Sequence, residues 1–357
     1  MIESIQFQNF RGFSKLRMDD VKQITLISGM NNVGKSSILD GLFLFLDHVA
    51  PESFAKLNSF RGFPPVSEPK YLWEPVFHNL NTDEPVQIEL KMDGSPANLC
   101  YSRDESYIVP EDAGIPRNVL NQFISSTQTS YSLKFQYSFG DYKEIGHFVA
   151  NSSGLLRNID TTLEGNRILS MPFTQFINSI IVHNGGDLTT WIGDVELNGR
   201  KDELIEILRL IEPSISDITT IMTSTGGAQI YVKSNGSLLP IKLAGDGLNK
   251  FLFIVLSIMA HPNSLILIDE IETGIHYSAY EDLWKTISTT AKKYNCQIIA
   301  TTHSYECIVG AIDGIEKSDL TNSFCYFRID RENKNSMAYR YSDELLRTAV
   351  DTNLEVR

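Results

Sequence analysis

The run Gly29-Met30-Asn31-Asn32-Val33-Gly34-Lys35-Ser36 matches G-x-x-x-x-G-K-[ST] in full, and no other stretch constrains the chain so strongly. It comes after a short strand pattern, Gln23–Ser28, and opens a helical pattern, Lys35–Val49, with Ile38, Leu39, Leu42 and Leu46 on one face. Phosphate chemistry needs this setting. Glycines let the backbone wrap the β- and γ-phosphates, and the free N–H groups of a helix start present partial positive charge to an anion. Lys35 supplies a mobile charge and Ser36 a hydroxyl for Mg²⁺. The expected nucleotide-binding residues of this loop are Gly29, Asn31, Asn32, Gly34, Lys35, Ser36 and Ser37, and the expected ligands are ATP and Mg²⁺.

Farther along, Ser264-Leu265-Ile266-Leu267-Ile268-Asp269-Glu270 is an apolar strand ending in two carboxylates. Asp269 is expected to order the Mg²⁺ shell, and Glu270 to polarise the attacking water as general base. An acidic turn after a strand is common in itself. Here a second apolar strand, Gln297–Ala300, comes next and ends in Thr301-Thr302-His303-Ser304. In a parallel sheet that places His303 at the same edge as Asp269, where ligands bind. His303 is therefore expected to contact the γ-phosphate and sense hydrolysis.

A third glycine feature, Leu243-Ala244-Gly245-Asp246-Gly247, precedes the strongly apolar helix Leu248–Ala260. Gly245, Asp246 and Gly247 expose N–H groups at a helix start, again an anion site. If the two helix starts lie on separate lobes, they cannot serve one and the same nucleotide.

The strand patterns Ile2–Phe10, Val86–Leu90, Tyr131–Phe135, Ile218–Met222 and Gln229–Val232 alternate apolar and polar residues. Lys201–Ile211 and Tyr280–Lys293 read as amphipathic helices, the first stopped by Pro213. Pro51, Pro64, Pro65, Pro69, Pro75 and Pro85 crowd the start of a β-rich, loop-rich middle region. Little length remains beyond Asp313. With 357 residues and 42% hydrophobic residues there is ample material for a large core. The net charge of −13 disfavours coating a nucleic acid, whose binding draws on neutralised phosphates. The longest apolar run, Phe251–Ala260, is far below the roughly 20 residues a membrane span needs. Four cysteines without ligand spacing read as reduced thiols, and the first residues do not read as a signal peptide. A cytoplasmic protein without membrane contact is expected.

Together these motifs carry a resemblance. Asn9-Phe10-Arg11, the Asn-Asn-x-Gly-Lys-Ser-Ser loop, Gly245-Asp246-Gly247, the run Ile268–His276 and Thr301-Thr302-His303-Ser304 resemble the RecF-like and OLD-like (overcoming lysogenization defect) ABC ATPases. The likeness covers residues 1–50 and about 180–310. It implies an α/β ABC head: a mixed sheet carrying the phosphate loop, a β-rich middle insertion (51–179) and a helical signature lobe. The core is expected at 1–50 and 180–310, with 311–357 as an extension packing on it. The resemblance also implies ATP sandwiched between two subunits, so a homodimer or higher even-numbered oligomer. Gly245–Gly247 then contacts the partner's ATP, and Glu272–His276 crosses the interface as the D-loop. Ala244 and Asp246 depart from the usual signature Ser and Gly, which weakens the hydroxyl contact in trans and leaves the backbone donors.

No clear Q-loop glutamine stands out; Gln175 and Val182-His183-Asn184 are the candidates. OLD nucleases carry a C-terminal topoisomerase-primase domain, for which the stretch after Ser304 is too short, and Asp330 and Glu332 are too isolated for a two-metal site. No intrinsic nuclease activity is expected. The implied function is an ATP-driven dimeric switch acting on a protein effector, in the setting of bacterial anti-phage defence. The alternative is a repair or recombination ATPase that binds DNA across its dimer. A kinase or GTPase leaves Glu270 and the signature without a role, and the asparagine-rich loop argues against a transporter.

Overall fold

The computed structural model describes residues 1–62, 70–107, 131–151, 154–165, 171–178, 185–223, 227–332, 335–352 and 354–357. They fall into two compact units. One holds Met1–Val21, Asn32–Met171 and Ile329–Tyr339; the other holds Lys22–Asn31, Pro172–Arg328 and Arg340–Arg357.

The chain opens with β1 (Ile2–Phe10) and β2 (Phe13–Asp19), then β3 (Ile24–Gly29), which belongs to the second unit, then α1 (Lys35–Leu46). The first unit continues with α2 (Glu52–Phe60), α3 (Lys70–Trp73), β4 (Val86–Met92), β5 (Ser95–Arg103), β6 (Tyr131–Phe139), β7 (Tyr142–Asn151) and β8 (Gly154–Glu164). Its strands form one sheet in the order β2-β1-β4-β5-β6-β7-β8, with every neighbouring pair antiparallel. The alternation seen at Val86–Leu90 runs on to Met92: Val86, Ile88, Leu90 and Met92 are buried, while Glu89 and Lys91 face out. This is a sheet with one covered face. α1 lies close against β1. A Cβ at Gly41 would stand 2.3 Å from the Phe7 ring, so only glycine fits there. Phe7, Phe10 and Phe13 stack beneath it, with centroids 5.3 and 5.9 Å from Phe7. The Asn9-Phe10-Arg11 motif has a structural job in this layer. Arg11 is buried and pairs with the fully buried Asp40 of α1 at 3.1 Å, and Arg61 pairs with the same carboxylate. Burial pulls the Arg11 guanidinium below its ordinary range. α1 stops at Leu46, short of the expected Val49, where the His48 ring meets the carbonyl of Phe45 at 3.0 Å.

The second unit contains β9 (Thr174–Ile177), α4 (Gly185–Leu197), α5 (Lys201–Ile211), β10 (Ile215–Met222), β11 (Ala228–Ser234), β12 (Ser237–Pro240), α6 (Asp246–Ala260) and β13 (Leu265–Ile268). Then come α7 (Tyr280–Lys293), β14 (Gln297–Thr301), α8 (Tyr305–Glu316), β15 (Phe324–Glu332), β16 (Asn335–Tyr341) and α9 (Asp343–Asp351). Its main sheet runs β16-β15-β3-β14-β13-β9, and β3, β14, β13 and β9 are mutually parallel. β3, β13 and β14 are buried at every position; β13 is apolar throughout, while β3 and β14 also bury Thr25, Ser28, Gln297 and Thr301. α6 is buried almost throughout from Phe251 to Met259. α8 approaches α7 through Gly310 and Gly314, where a Cβ would stand 2.5 Å from Tyr280 Cβ and from the Glu281 carbonyl. β10, β11 and β12 form a small antiparallel sheet whose Asn235-Gly236 turn has φ of 50° and 79°, as a two-residue hairpin turn requires. Beyond Asp313 the short remaining stretch adds two strands to the main sheet and a helix, with the hairpin tip Ile329–Tyr339 grouped in the first unit. No helix among the described residues is long and apolar enough to cross a membrane.

Candidate nucleotide site

The phosphate loop is where the chain passes from the second unit to the first: Gly29–Asn31 close one and Asn32 opens the other. Gly29 ends β3 with φ 141°, Asn32 stands at φ 63°, and Gly34 caps α1 at φ 105°. The last value is open to glycine alone, and a Cβ there would also lie 2.5 Å from the Phe13 ring. No side chain caps α1, and its first turn holds no acidic residue, so the helix start suits an anion. Lys35, Ser36 and Ser37 form that turn, and Lys35 is buried. Ser336, on the β15–β16 hairpin, donates its hydroxyl to the carbonyl of Val33 at 3.3 Å. That support for the loop comes from a segment with no sequence signal of its own.

In the second unit, β13 and β14 pair in parallel with Ile268 opposite Ala300, so Asp269 and Thr301 emerge side by side. Thr301 organises the edge. Its hydroxyl donates to Asp269 Oδ1 at 2.7 Å and accepts the N–H of Glu270 at 2.9 Å. Glu270 sits in the left-handed region at φ 48°. One carboxylate oxygen accepts from Thr273 Oγ1 at 3.3 Å, and the other lies 3.7 Å from His303 Nε2. The backbone N–H of His303 donates to Glu272 Oε1 at 2.6 Å. Asp269, Glu270, Glu272 and His303 thus share one strand edge within a single unit. Asp269 meets Thr301 through Oδ1, which leaves Oδ2 for a ligand.

The third glycine feature belongs to this second unit as well, whereas α1 belongs to the first. Gly245 caps α6 at φ 107° with no side-chain cap, and Asp246 occupies the first turn. A carboxylate there opposes an approaching phosphate, which backbone N–H groups attract. Gly247 packs directly on the loop after β13: a Cβ would stand 2.4 Å from the carbonyl of Gly274. Backbone cannot swing aside as a flexible side chain does. Gly247→Ala is expected to cost about 1–3 kcal/mol by overpacking, read as a lower melting temperature. Unchanged melting would mean the two segments separate freely.

Of the two Q-loop candidates, Gln175 lies inside β9, paired with Ile266, and its side chain reaches only the carbonyl of Phe176. The segment 182–184 lies outside the described residues. Lys250, not singled out from the sequence, reaches this edge from α6 and donates to the carbonyl of Glu270. The available signal was a lysine in the opening turns of a largely apolar helix, beside Asp246 and Asn249.

A parallel sheet with a glycine loop at one strand's end and paired carboxylates at another's is the arrangement of an ATPase. Residues 1–110 and 156–308 match the family described as AAA ATPase domain, and the chain belongs to that family. A Helicobacter pylori protein named ATP/GTP phosphatase is 28% identical over 354 residues, spanning 93% of this chain and 94% of its own. The fold is similar to an Smc head bound to the C-winged helix domain of ScpA, with TM-score 0.51, 14% identity and 98% and 99% of the two chains covered. A Pyrococcus furiosus Smc head with an extended coiled coil, bound to the C-terminal domain of ScpA, also gives TM-score 0.51, at 11% identity and 99% coverage of both chains. At such identities the likeness is one of fold.

Proposed function

We propose that this protein is an ATP-hydrolysing switch that works as a dimer, or a higher even-numbered oligomer, and governs a protein effector. The observation that carries this reading is the build of the second unit. Its Gly245–Gly247 helix start rests on the Glu272–His276 loop, and that loop begins at the edge bearing Asp269, Glu270 and His303.

Each role rests on the chemistry of its group. The uncapped start of α1 and the Lys35 ammonium hold the triphosphate. Ser36 and Asp269 hold Mg²⁺, which neutralises phosphate charge when bound. Glu270 takes a proton from the attacking water. His303, beside Glu270, donates toward the γ-phosphate and loses that partner on hydrolysis. The Gly245–Gly247 start offers its N–H groups to ATP held by a second copy, and the Glu272–His276 loop runs along the same interface. Leu243 and Tyr277, 75% and 65% exposed, flank these two segments and supply apolar surface for it. ATP closes the dimer, and hydrolysis reopens it. The Helicobacter pylori relative's name fits hydrolysis of a nucleoside triphosphate. The OLD-like resemblance of the motifs supports a setting in bacterial anti-phage defence.

The test is the native mass of the Glu270→Gln variant with and without ATP, in the presence of cell extract. The expected result is an even-numbered assembly with ATP that retains a second protein. A particle that stays monomeric with saturating ATP sinks the dimer. Strong stimulation of hydrolysis by DNA would move the reading to a repair ATPase.

A further inference from the structure

Lys250 interrupts the most apolar helix of the protein and is itself buried, with 7% of its surface exposed. A buried ammonium is costly unless it finds partners, so its partners are informative. Its Nζ donates to the backbone carbonyl of Glu270. Burial draws its pKa down to about 8, against the opposing pull of Glu272, Glu270 and Asp269. The charge is thus directed at one short turn at the site's edge.

That turn needs holding. Glu270 has φ 48°, a conformation that strains an L-residue with a side chain and persists only where its surroundings fix it. Its N–H is fixed by the Thr301 hydroxyl at 2.9 Å. Its carbonyl is fixed by Lys250 and by the N–H of Thr273 at 3.0 Å. Lys250 stands three residues after Gly247, on the same helix face. One face of α6 therefore grips the turn at Glu270 through Lys250 and at Gly274 through Gly247.

We propose that Lys250 is a positioning residue for hydrolysis: from the helix that begins at the Gly245–Gly247 loop, it holds the carbonyl of Glu270 and so sets where that carboxylate points. This rests on Glu270 being the base. Its consequence is that the base moves with any shift in the start of α6.

Lys250→Met keeps the buried stem and removes the ammonium that donates to the Glu270 carbonyl. The expected result is kcat lower by at least about tenfold, since a misplacement near 1 Å can cost about 100-fold. Nucleotide affinity should stay within about twofold, and Lys250→Arg should recover part of kcat at unchanged KM. Wild-type turnover by Lys250→Met beside an inactive Glu270→Gln overturns the positioning role alone. Loss of nucleotide affinity together with turnover overturns it as well, because the lysine then supports the site generally. Normal turnover by Glu270→Gln removes the base assignment, and the positioning role with it.

Discussion

Lys35→Ala is expected to abolish nucleotide binding at working concentrations while leaving the fold intact. Lys35 opens α1 and is buried, with a cap on one side that only glycine can form and no acidic residue in the turn. The backbone donors of that turn remain in the variant, so the loss isolates the ammonium. A charge-assisted hydrogen bond contributes about 1.5–3 kcal/mol, which at the upper end is roughly a hundredfold in Kd. The most direct readout is thermal protection. A ligand at 100 times its Kd stabilises by about 2.7 kcal/mol, and after a hundredfold loss the same concentration gives only about 0.4 kcal/mol. Melting of the apo variant should match wild type, because the helix keeps its glycine cap and its packing on Phe7 through Gly41. Full protection of the variant by ATP would show that the loop binds without its lysine, and the assignment of this loop as the triphosphate site would fail.

Much of this site was legible because two kinds of signal coincided. Strands buried on both faces are rich in apolar residues, so Leu265–Ile268 and Gln297–Ala300 announced themselves, and the residues that follow each run land on one edge. Glycines at helix starts announced Gly34 and Gly245, because few other residues tolerate φ near 105°. Other parts carried no such mark. β9 is four residues long, and its Thr174-Gln175 half is polar, so neither length nor alternation exposes it. β15 and β16 lie beyond a point where little chain seemed left, and they place Ser336 under the phosphate loop through one hydroxyl–carbonyl bond that any serine could make. Thr301 stood within a noticed motif, but its two hydrogen bonds depend on the parallel register of β13 and β14, which sequence does not state. Lys250 is the sharpest case. On the sequence it is one polar residue near a helix start. Only the left-handed turn of Glu270, invisible without coordinates, gives its charge a purpose.

Glu270→Gln should bind ATP as tightly as wild type and hydrolyse it at least about 100-fold more slowly, the low end of what a positioned base supplies. Glutamine keeps the length and one carbonyl oxygen, so the contact with Thr273 Oγ1 survives, and so do the bonds that pin the backbone at Thr301 and Lys250. What disappears is the capacity to take up a proton. Binding energy is untouched and the barrier rises, so ATP-bound protein accumulates. If closure of the dimer is driven by ATP and opened by hydrolysis, the variant should remain associated for as long as ATP is present, and the wild type should fall apart as ATP is consumed. The contrast with Lys35→Ala separates the two roles, since that variant should neither protect nor associate. Rapid turnover by Glu270→Gln would shift the proton to another acceptor at this edge. Glu272 is the next carboxylate there, and its Oε1 already holds the N–H of His303. Such a result would make the Glu272 carboxylate the proton acceptor to remove next, by Glu272→Gln, which keeps an oxygen for the His303 N–H.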